Sequence, residues 1–265
     1  MKICTFNVNS IRVRKDLIVE WLNHRNQDID ILCFQELKSV IEQFPYQDFE
    51  RLDFACEVFG QKAYNGVAIC SRHPMRNVRK GFQSSLWDEQ KRLITCEVGE
   101  FALINVYAPH GGLKGEQKYA YKKEWYEKLL SFLEDNYSPR DPLLIAGDFN
   151  IARGDKDVYD PEALKDTIGT MPEERAAFEN LINWGLIDGF RHLHPDLIQF
   201  TWWDYIGGAV WKNQGMRIDY FLHTEPLKDK VKMIEVDIWP RRRRTPKPSD
   251  HAPVVVTLDS SEKKD

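Results

Sequence analysis

The chain has 265 residues, 37 of them basic and 41 acidic, for a formal charge of −4; 42% are hydrophobic, 12% aromatic and 29% charged. Such a mixture can bury a core, which excludes disorder and collagen-like order, and no apolar run reaches the ~18 residues of a membrane helix. The opening MKICTFNVNS has no apolar run long enough for a signal peptide, so the chain is expected to be mature protein.

KICTFNV (2–8) and DILCFQ (30–35) are β-rich and end in polar residues. Between them Leu17, Ile18, Trp21 and Leu22 lie at helical spacing, which predicts a helix over 14–25. NGVAICS (65–71), RLITCEV (92–98) and FALINVY (101–107) read as strands, the last two as a hairpin across Gly99–Glu100. A long helix is expected around 116–136, with Trp125, Leu129 and Leu133 on one face, followed by a short buried strand PLLIAG (142–147). Thr170 with Glu173 resembles a capping box, Pro172 suits a first turn, and Phe178, Leu181 and Ile182 continue a helix that Gly185 can end. FTWW (200–203), RIDYFLH (217–223) and PVVVTL (253–258) are the last strands, and SSEKKD (260–265) is a polar tail expected to fray. No Gly/Ser/Pro linker divides the chain, so one domain is expected over 1–259.

Cys4, Cys33, Cys56, Cys70 and Cys96 make an odd count with no zinc-ligand spacing. Most sit in apolar runs, where a free cysteine behaves as a small hydrophobe, and a reducing cytoplasm is the expected location. Weakly acidic overall charge gives no global nucleic-acid signature, yet a local basic surface stays open; RRRR (241–244) is the most basic stretch. GxSxG, HExxH, Walker and GxGxxG motifs are absent, which removes the usual support for serine-hydrolase, zincin, P-loop and dinucleotide chemistry.

Several strand-like runs end in carboxylates or amides: FNVN (Asn7, Asn9), FQE (Glu36), GDFN (Asp148, Asn150), RID (Asp219) and SDHAP (Asp250, His251). Each alone has an ordinary explanation, since Asp and Asn favour turns. Five such ends in one chain point to a site, because strand ends are where sites are built. If strand geometry persists, Asn7 and Asn9 share a face, as do Asp148 and Asn150. Glu36, Asp250 and the Asn7 amide oxygen suit a hard divalent cation. Asp148 can activate a water, Asn150 can donate to a phosphate oxygen, and His251 beside Asp219 is an oriented imidazole. The chemistry this predicts is metal-assisted attack of water on a phosphodiester. A Ser249-Asp250-His251 relay is set aside, because neighbours on a strand face opposite ways.

In this order the motifs FNVNSIR, LCFQELK, YNGVAI, INVYAPHG, LLIAGDFNIA, PEER, WGLIDGFR, FTWWDY, MRIDYFL and PSDHAPV resemble the exonuclease III family of Mg²⁺-dependent AP endonucleases, within the endonuclease/exonuclease/phosphatase superfamily. The resemblance covers nearly the whole chain, and it implies a four-layer α/β sandwich, two mixed β-sheets face to face with helices outside. It further implies Glu36 as principal metal ligand with Asn7 and Asp250 near it, and Asp148 as general base. Asn150 would stabilise the transition state, Tyr107 would lie close to the phosphate or leaving oxygen, and Asp219 would orient His251 against the scissile phosphate. Asp148, Asn150 and His251 also count as ligands of a second or moving ion. Asn9, Arg92, Lys118, Gly169 and Trp202 are expected to face DNA, Trp202 and the loop 165–171 lining a pocket for a base-free sugar; Lys122 and the arginine run are further candidate contacts. The expected activity is incision 5′ to abasic sites in duplex DNA, with 3′-5′ exonuclease or 3′-phosphodiesterase action, in base excision repair by a monomer using Mg²⁺ or Mn²⁺. A phosphodiesterase for a small phospho-substrate and a non-catalytic DNA-binding module stay open as alternatives.

Overall fold

The strands alternate between two burial environments, and that alternation sets the layers. The computed structural model describes residues 1–259, so the tail expected at 260–265 lies outside the described residues. Its strands are β1 Lys2–Asn7, β2 Ile31–Gln35, β3 Ala55–Phe59, β4 Val67–Ser71, β5 Met75–Lys80, β6 Leu93–Val98, β7 Phe101–Tyr107, β8 Leu143–Asp148, β9 Ile187–Asp188, β10 Trp202–Trp203, β11 Gly215–Met216, β12 Asp219–His223, β13 Val231–Val236 and β14 Val254–Leu258. Its α-helices are α1 Ile11–His24, α2 Tyr46–Glu50, α3 Ser85–Asp88, α4 Gln117–Asn136, α5 Pro172–Trp184, α6 Gly189–Leu193 and α7 Ala209–Lys212.

One sheet runs β13-β14-β1-β2-β4-β3 and the other β5-β6-β7-β8-β12-β9. Both are mixed: β1 pairs with β2 and β7 with β8 in parallel, while β1 with β14 and β8 with β12 are antiparallel. Along β1 and β2 the residues Ile3, Ile31 and Cys33 turn inward and meet Ile94, Leu103, Leu144 and Phe221 of the second sheet. Their sequence neighbours Cys4, Phe6, Leu32 and Phe34 turn outward onto Ile18, Trp21 and Leu22 of α1. On the far side Ile104, Val106, Leu143 and Ile145 pack against Trp125, Leu129 and Leu133 of α4 and Phe178 and Leu181 of α5. Period-two burial on both faces of each sheet therefore yields the four layers of the expected α/β sandwich. A buried amide pair links the sheets near one end: Gln35 Nε2 donates to Asn105 Oδ1 at 2.7 Å, and Asn105 Nδ2 donates to the carbonyls of Phe34 and Ala68.

Three local expectations are corrected. Thr170 does not cap α5; its hydroxyl donates back to Leu164 and Thr167, and the carboxylate of Glu174, not Glu173, accepts from the Met171 amide that precedes the helix. Pro172 does open α5 and Gly185, at φ 129, closes it. Cys56 and Cys70 are not free: they face each other across β3 and β4 with Cα atoms 4.0 Å apart and are joined by a disulfide, while Cys4, Cys33 and Cys96 are free and buried. Direct cross-strand neighbours have β-carbons close enough for that bond. Residues 249–251 are not strand, since β14 begins at Val254, so the argument from opposite strand faces does not apply there. No described helix is long and apolar enough to cross a membrane.

Candidate active site

Parallel pairing brings two pairs of strand ends to one end of the sandwich. Asn7 lies opposite Gln35, next to Glu36, and Tyr107 lies opposite Asp148, while Asp219 enters from the antiparallel side against Asp148. The chain then leaves the sheets through sparsely populated backbone: Asn9 has φ 44, Glu36 φ 55 and Asn150 φ 52. The strand geometry that would align Asn7 with Asn9, and Asp148 with Asn150, stops at Asn7 and Asp148. The pairs meet by a different route. Asn9 N donates to Asn7 Oδ1 at 3.0 Å, and Asn150 N donates to Asp148 Oδ1 at 2.9 Å. Each is a side chain satisfying the backbone two residues on, which lets a short polar residue hold a left-handed turn.

Asn7, Asn9, Glu36, Tyr107, Asp148, Asn150, Gly169, Trp202, Asp250 and His251 line one cavity of about 330 Å³. Ile168 also lines it, so the loop 165–171 borders the pocket as expected; His110, Met216 and Ile218 were not anticipated. Asn7 Nδ2 donates to Asp148 Oδ2 at 2.8 Å and so ties the two sheets together at the cavity floor. His251 Nδ1 lies 2.9 Å from Asp219 Oδ2, and His251 Nε2 lies 3.8 Å from Asp148 Oδ2. Asp250 accepts from Asn9 Nδ2 at 2.9 Å and from Trp202 Nε1 at 3.1 Å.

Burial dominates the electrostatics. It pushes the Asp148 carboxyl up to about 7, with Asp219 adding to the rise and His251 opposing it. Burial alone would lower His251, but the carboxylates of Asp219 and Asp148 override it and push the imidazole up to about 10. The result is an imidazolium held between two acids. Burial works against ionising Asp250 too, yet His251 and the bonds from Asn9 and Trp202 hold its carboxyl below the usual range. The Tyr107 phenol is raised well above its ordinary value by burial and by Glu36.

Two groups of candidate ligands emerge. Asp148, Asp219 and His251 offer atoms within 4.8 Å of one another, and Asp219 Oδ1 is buried with no hydrogen-bond partner. Elsewhere in the cavity stand Glu36, Asp250 and the Asn7 amide oxygen, an all-oxygen set that fits a hard divalent cation. The hydrogen bonds on Asp250 leave lone pairs free on both carboxylate oxygens. The Lys38 ammonium sits 2.9 Å from Glu36 Oε1 and 2.7 Å from Asn9 Oδ1, so a positive charge already lies among these oxygens.

Other expected contacts fall outside this cavity. Arg92 and Lys118 line a neighbouring cavity of about 730 Å³ that shares His110 with the first. The Arg92 guanidinium lies 4.8 Å from the Tyr107 ring centroid and donates to the Tyr107 carbonyl. Lys122 is buried, not a surface contact: it is paired with Glu174 deep behind the site. The arginine run divides. Arg241 points inward and donates to the carbonyls of Trp203, Asp204 and Asp250; Arg243 pairs with Glu20; Arg242 and Arg244 are exposed. Arg14 was missed as well; it donates to Pro248 O and Tyr205 Oη and braces the segment that carries Asp250.

The model of the Endonuclease/Exonuclease/phosphatase family matches residues 4–251. The exodeoxyribonuclease III of Haemophilus influenzae is 35% identical over 96% of this chain and 98% of its own. Among solved structures, an AP endonuclease from Archaeoglobus fulgidus has a TM-score of 0.92 at 36% identity, covering 98% of this chain and 99% of its own. A variant of the 3′ phosphatase NExo from Neisseria, bound to a product DNA hairpin, has a TM-score of 0.92 at 38% identity, with 98% and 99% covered.

Proposed function

The chain belongs to the Endonuclease/Exonuclease/phosphatase family, and on that premise we propose that it is a DNA-repair nuclease, an AP endonuclease with 3′-5′ exonuclease or 3′-phosphodiesterase activity. The observation that carries the proposal is that Asp148 and His251 line the same cavity as Glu36 and Asp250, with Asp219 directly behind them and clustered with both. In this reading Asp148 takes a proton from a water whose oxygen bonds to phosphorus. The bond from phosphorus to the 3′ oxygen breaks, and that oxygen takes a proton from solvent water and leaves as a 3′-hydroxyl, while the 5′-deoxyribose phosphate stays on the abasic side. His251, kept charged and oriented by Asp219, meets a non-bridging phosphate oxygen, and the Tyr107 hydroxyl supplies a further hydrogen bond to the reacting group; Asn150, whose Nδ2 donates to Ala108 O and Asp148 Oδ2, serves the transition state by holding the Asp148 carboxylate in place. A Mg²⁺ ion held by Glu36 and Asp250, with Asn7 beside them, would neutralise developing phosphate charge, and Mn²⁺ accepts the same donors.

Duplex DNA is the proposed substrate because an abasic nucleotide has already lost its stacking and is the least costly to extrude. Trp202 and the side-chain-free Gly169 frame the cavity that would receive it. The protein is proposed to act as a monomer with one catalytic domain over 1–259. A cytoplasmic location belongs to the same reading, and the Cys56–Cys70 disulfide is the observation against it.

The test is a labelled duplex with one abasic site, run beside a soluble phosphodiester. Mg²⁺-dependent nicking of the duplex, abolished by EDTA, is expected to exceed turnover of the soluble ester. Absence of both nicking and 3′-exonuclease action refutes the proposal, and preference for the soluble ester moves the substrate class.

A further inference from the structure

A lysine on a long amphipathic helix ordinarily faces water, and its charged head is almost never fully buried without a partner. Lys122 of α4 and Glu174 of α5 are each only 1% exposed, with Nζ 2.5 Å from Glu174 Oε1. The other two donors of that ammonium go to backbone carbonyls, Asn150 O at 2.8 Å and His110 O at 3.1 Å. The other carboxylate oxygen, Glu174 Oε2, accepts from Gly169 N at 2.6 Å and Met171 N at 3.1 Å. One ion pair thus holds three separate loops, and each of them contributes a residue to the cavity: His110, Asn150 and Gly169.

We infer that Lys122 and Glu174 are positioning residues for the reaction, a buried clamp that sets the Asn150 side chain against Asp148 and fixes the wall formed by His110 and Gly169. The inference rests on the proposed nuclease function and names what organises that same site. Stability is an insufficient reason for the pair, because replacing a buried ion pair by apolar groups of similar volume is often neutral or stabilising. No apolar pair could hold two carbonyls and two amide N–H groups at once. Asn150 needs such holding, since it sits at φ 52 and its Nδ2 must reach both Ala108 O at 2.9 Å and Asp148 Oδ2 at 3.3 Å. The fit is close as well: a β-carbon added at Gly111 would stand 2.9 Å from Lys122 Cδ, so the loop carrying His110 runs directly over the lysine stem.

The experiment compares melting temperature, kcat and KM on an abasic duplex for the wild type, the double variant Lys122→Met/Glu174→Gln, and Lys122→Arg. The double variant removes both charges while keeping the volume. The clamp predicts that it folds cooperatively, with kcat about 10- to 100-fold below wild type, the scale of a 1 Å misplacement, and KM within about threefold. Wild-type kcat in the folded double variant, or a loss confined to KM, overturns the inference. If the double variant does not fold, Lys122→Arg decides. It keeps the charge pair, but no guanidinium nitrogen carries the three donors with which the ammonium meets Asn150 O, His110 O and Glu174 Oε1 from one point, so a folded protein with lowered kcat is expected and wild-type kcat overturns the clamp. A wild-type chain that cuts no duplex refutes the functional proposal instead; an active wild type with unimpaired variants refutes the clamp alone.

Discussion

Asp219→Asn perturbs the site through one hydrogen bond and one charge. In the folded protein His251 is raised from 6.5 to about 10 against the opposing effect of burial, with Asp219 the largest of the contributions that raise it. A rise of that size corresponds to about 5 kcal/mol in favour of the imidazolium, at 1.36 kcal/mol per pH unit. Asparagine at 219 removes the largest of those contributions while Asp148 and Asp250 remain, so burial gains weight and the His251 value falls well below its wild-type position. The sign is definite. Below its folded value a raised histidine stays charged, so wild-type kcat carries no His251-linked loss between pH ~6 and ~9. The variant should gain an alkaline limb that starts at lower pH than any in the wild type and falls about tenfold per pH unit. The assay is single-turnover incision from pH 5.5 to 9.5, with the His251 ring nitrogens followed by NMR. The same linkage makes the His251 contribution to stability complete below pH ~6.5 and absent above ~10, so the melting-temperature gap between wild type and variant should narrow as pH rises. A variant profile parallel to wild type, or a His251 that still titrates near its wild-type value, refutes this reasoning.

Asp148→Asn should abolish turnover, with a loss of at least about 10³-fold, while anisotropy still reports DNA binding; near-wild-type turnover would remove the proposed base. Because burial raises the Asp148 carboxyl from 3.8 to about 7, the native state holds its proton longer than the unfolded chain, so stability is lost progressively as pH rises from ~4 and the loss is complete near 7; this variant should melt higher than wild type at pH 8 in EDTA, with a smaller gain at pH 5 and none near pH 4. Gly169→His should lower abasic incision more than 3′-exonuclease activity. A β-carbon there, at φ +85, would already stand 3.3 Å from Asn150 O and 3.4 Å from Met216 Cε, and the ring would extend toward the proposed sugar pocket. Equal loss of both activities would count against that pocket.

Which strands the sequence disclosed follows from their place in the sheets. The central strands β1, β2, β4, β6, β7, β8, β12 and β14 are legible as apolar runs because helices or the second sheet cover both faces. In the two large sheets the missed strands, β3, β5, β9 and β13, are the edges. MRNVRK (β5) and VKMIEV (β13) carry the charge that suits an exposed edge and hides the strand pattern. Missing β3 also concealed the disulfide, because Cys56 and Cys70 become neighbours only through that pairing. The site residues stood at strand ends in recognisable motifs and were legible for that reason. Lys122 was misplaced because a lone lysine reads as solvated, and its partner Glu174 lies 52 positions away with nothing in the spacing to announce it. Lys38, Arg14 and His110 escaped for the same reason, each entering the site through contacts made only after folding.

Water attack at phosphorus, managed by Asp148 and His251, is the claim on which the rest depends. Incision of an abasic duplex in ¹⁸O-labelled water with Mg²⁺, followed by mass analysis of both new ends, tests it most directly. One ¹⁸O in the 5′-deoxyribose phosphate opposite an unlabelled 3′-hydroxyl, with no product in EDTA, is the predicted result. An unlabelled phosphate beside an unsaturated 3′ sugar would mean that the strand broke by elimination at carbon, and would contradict it.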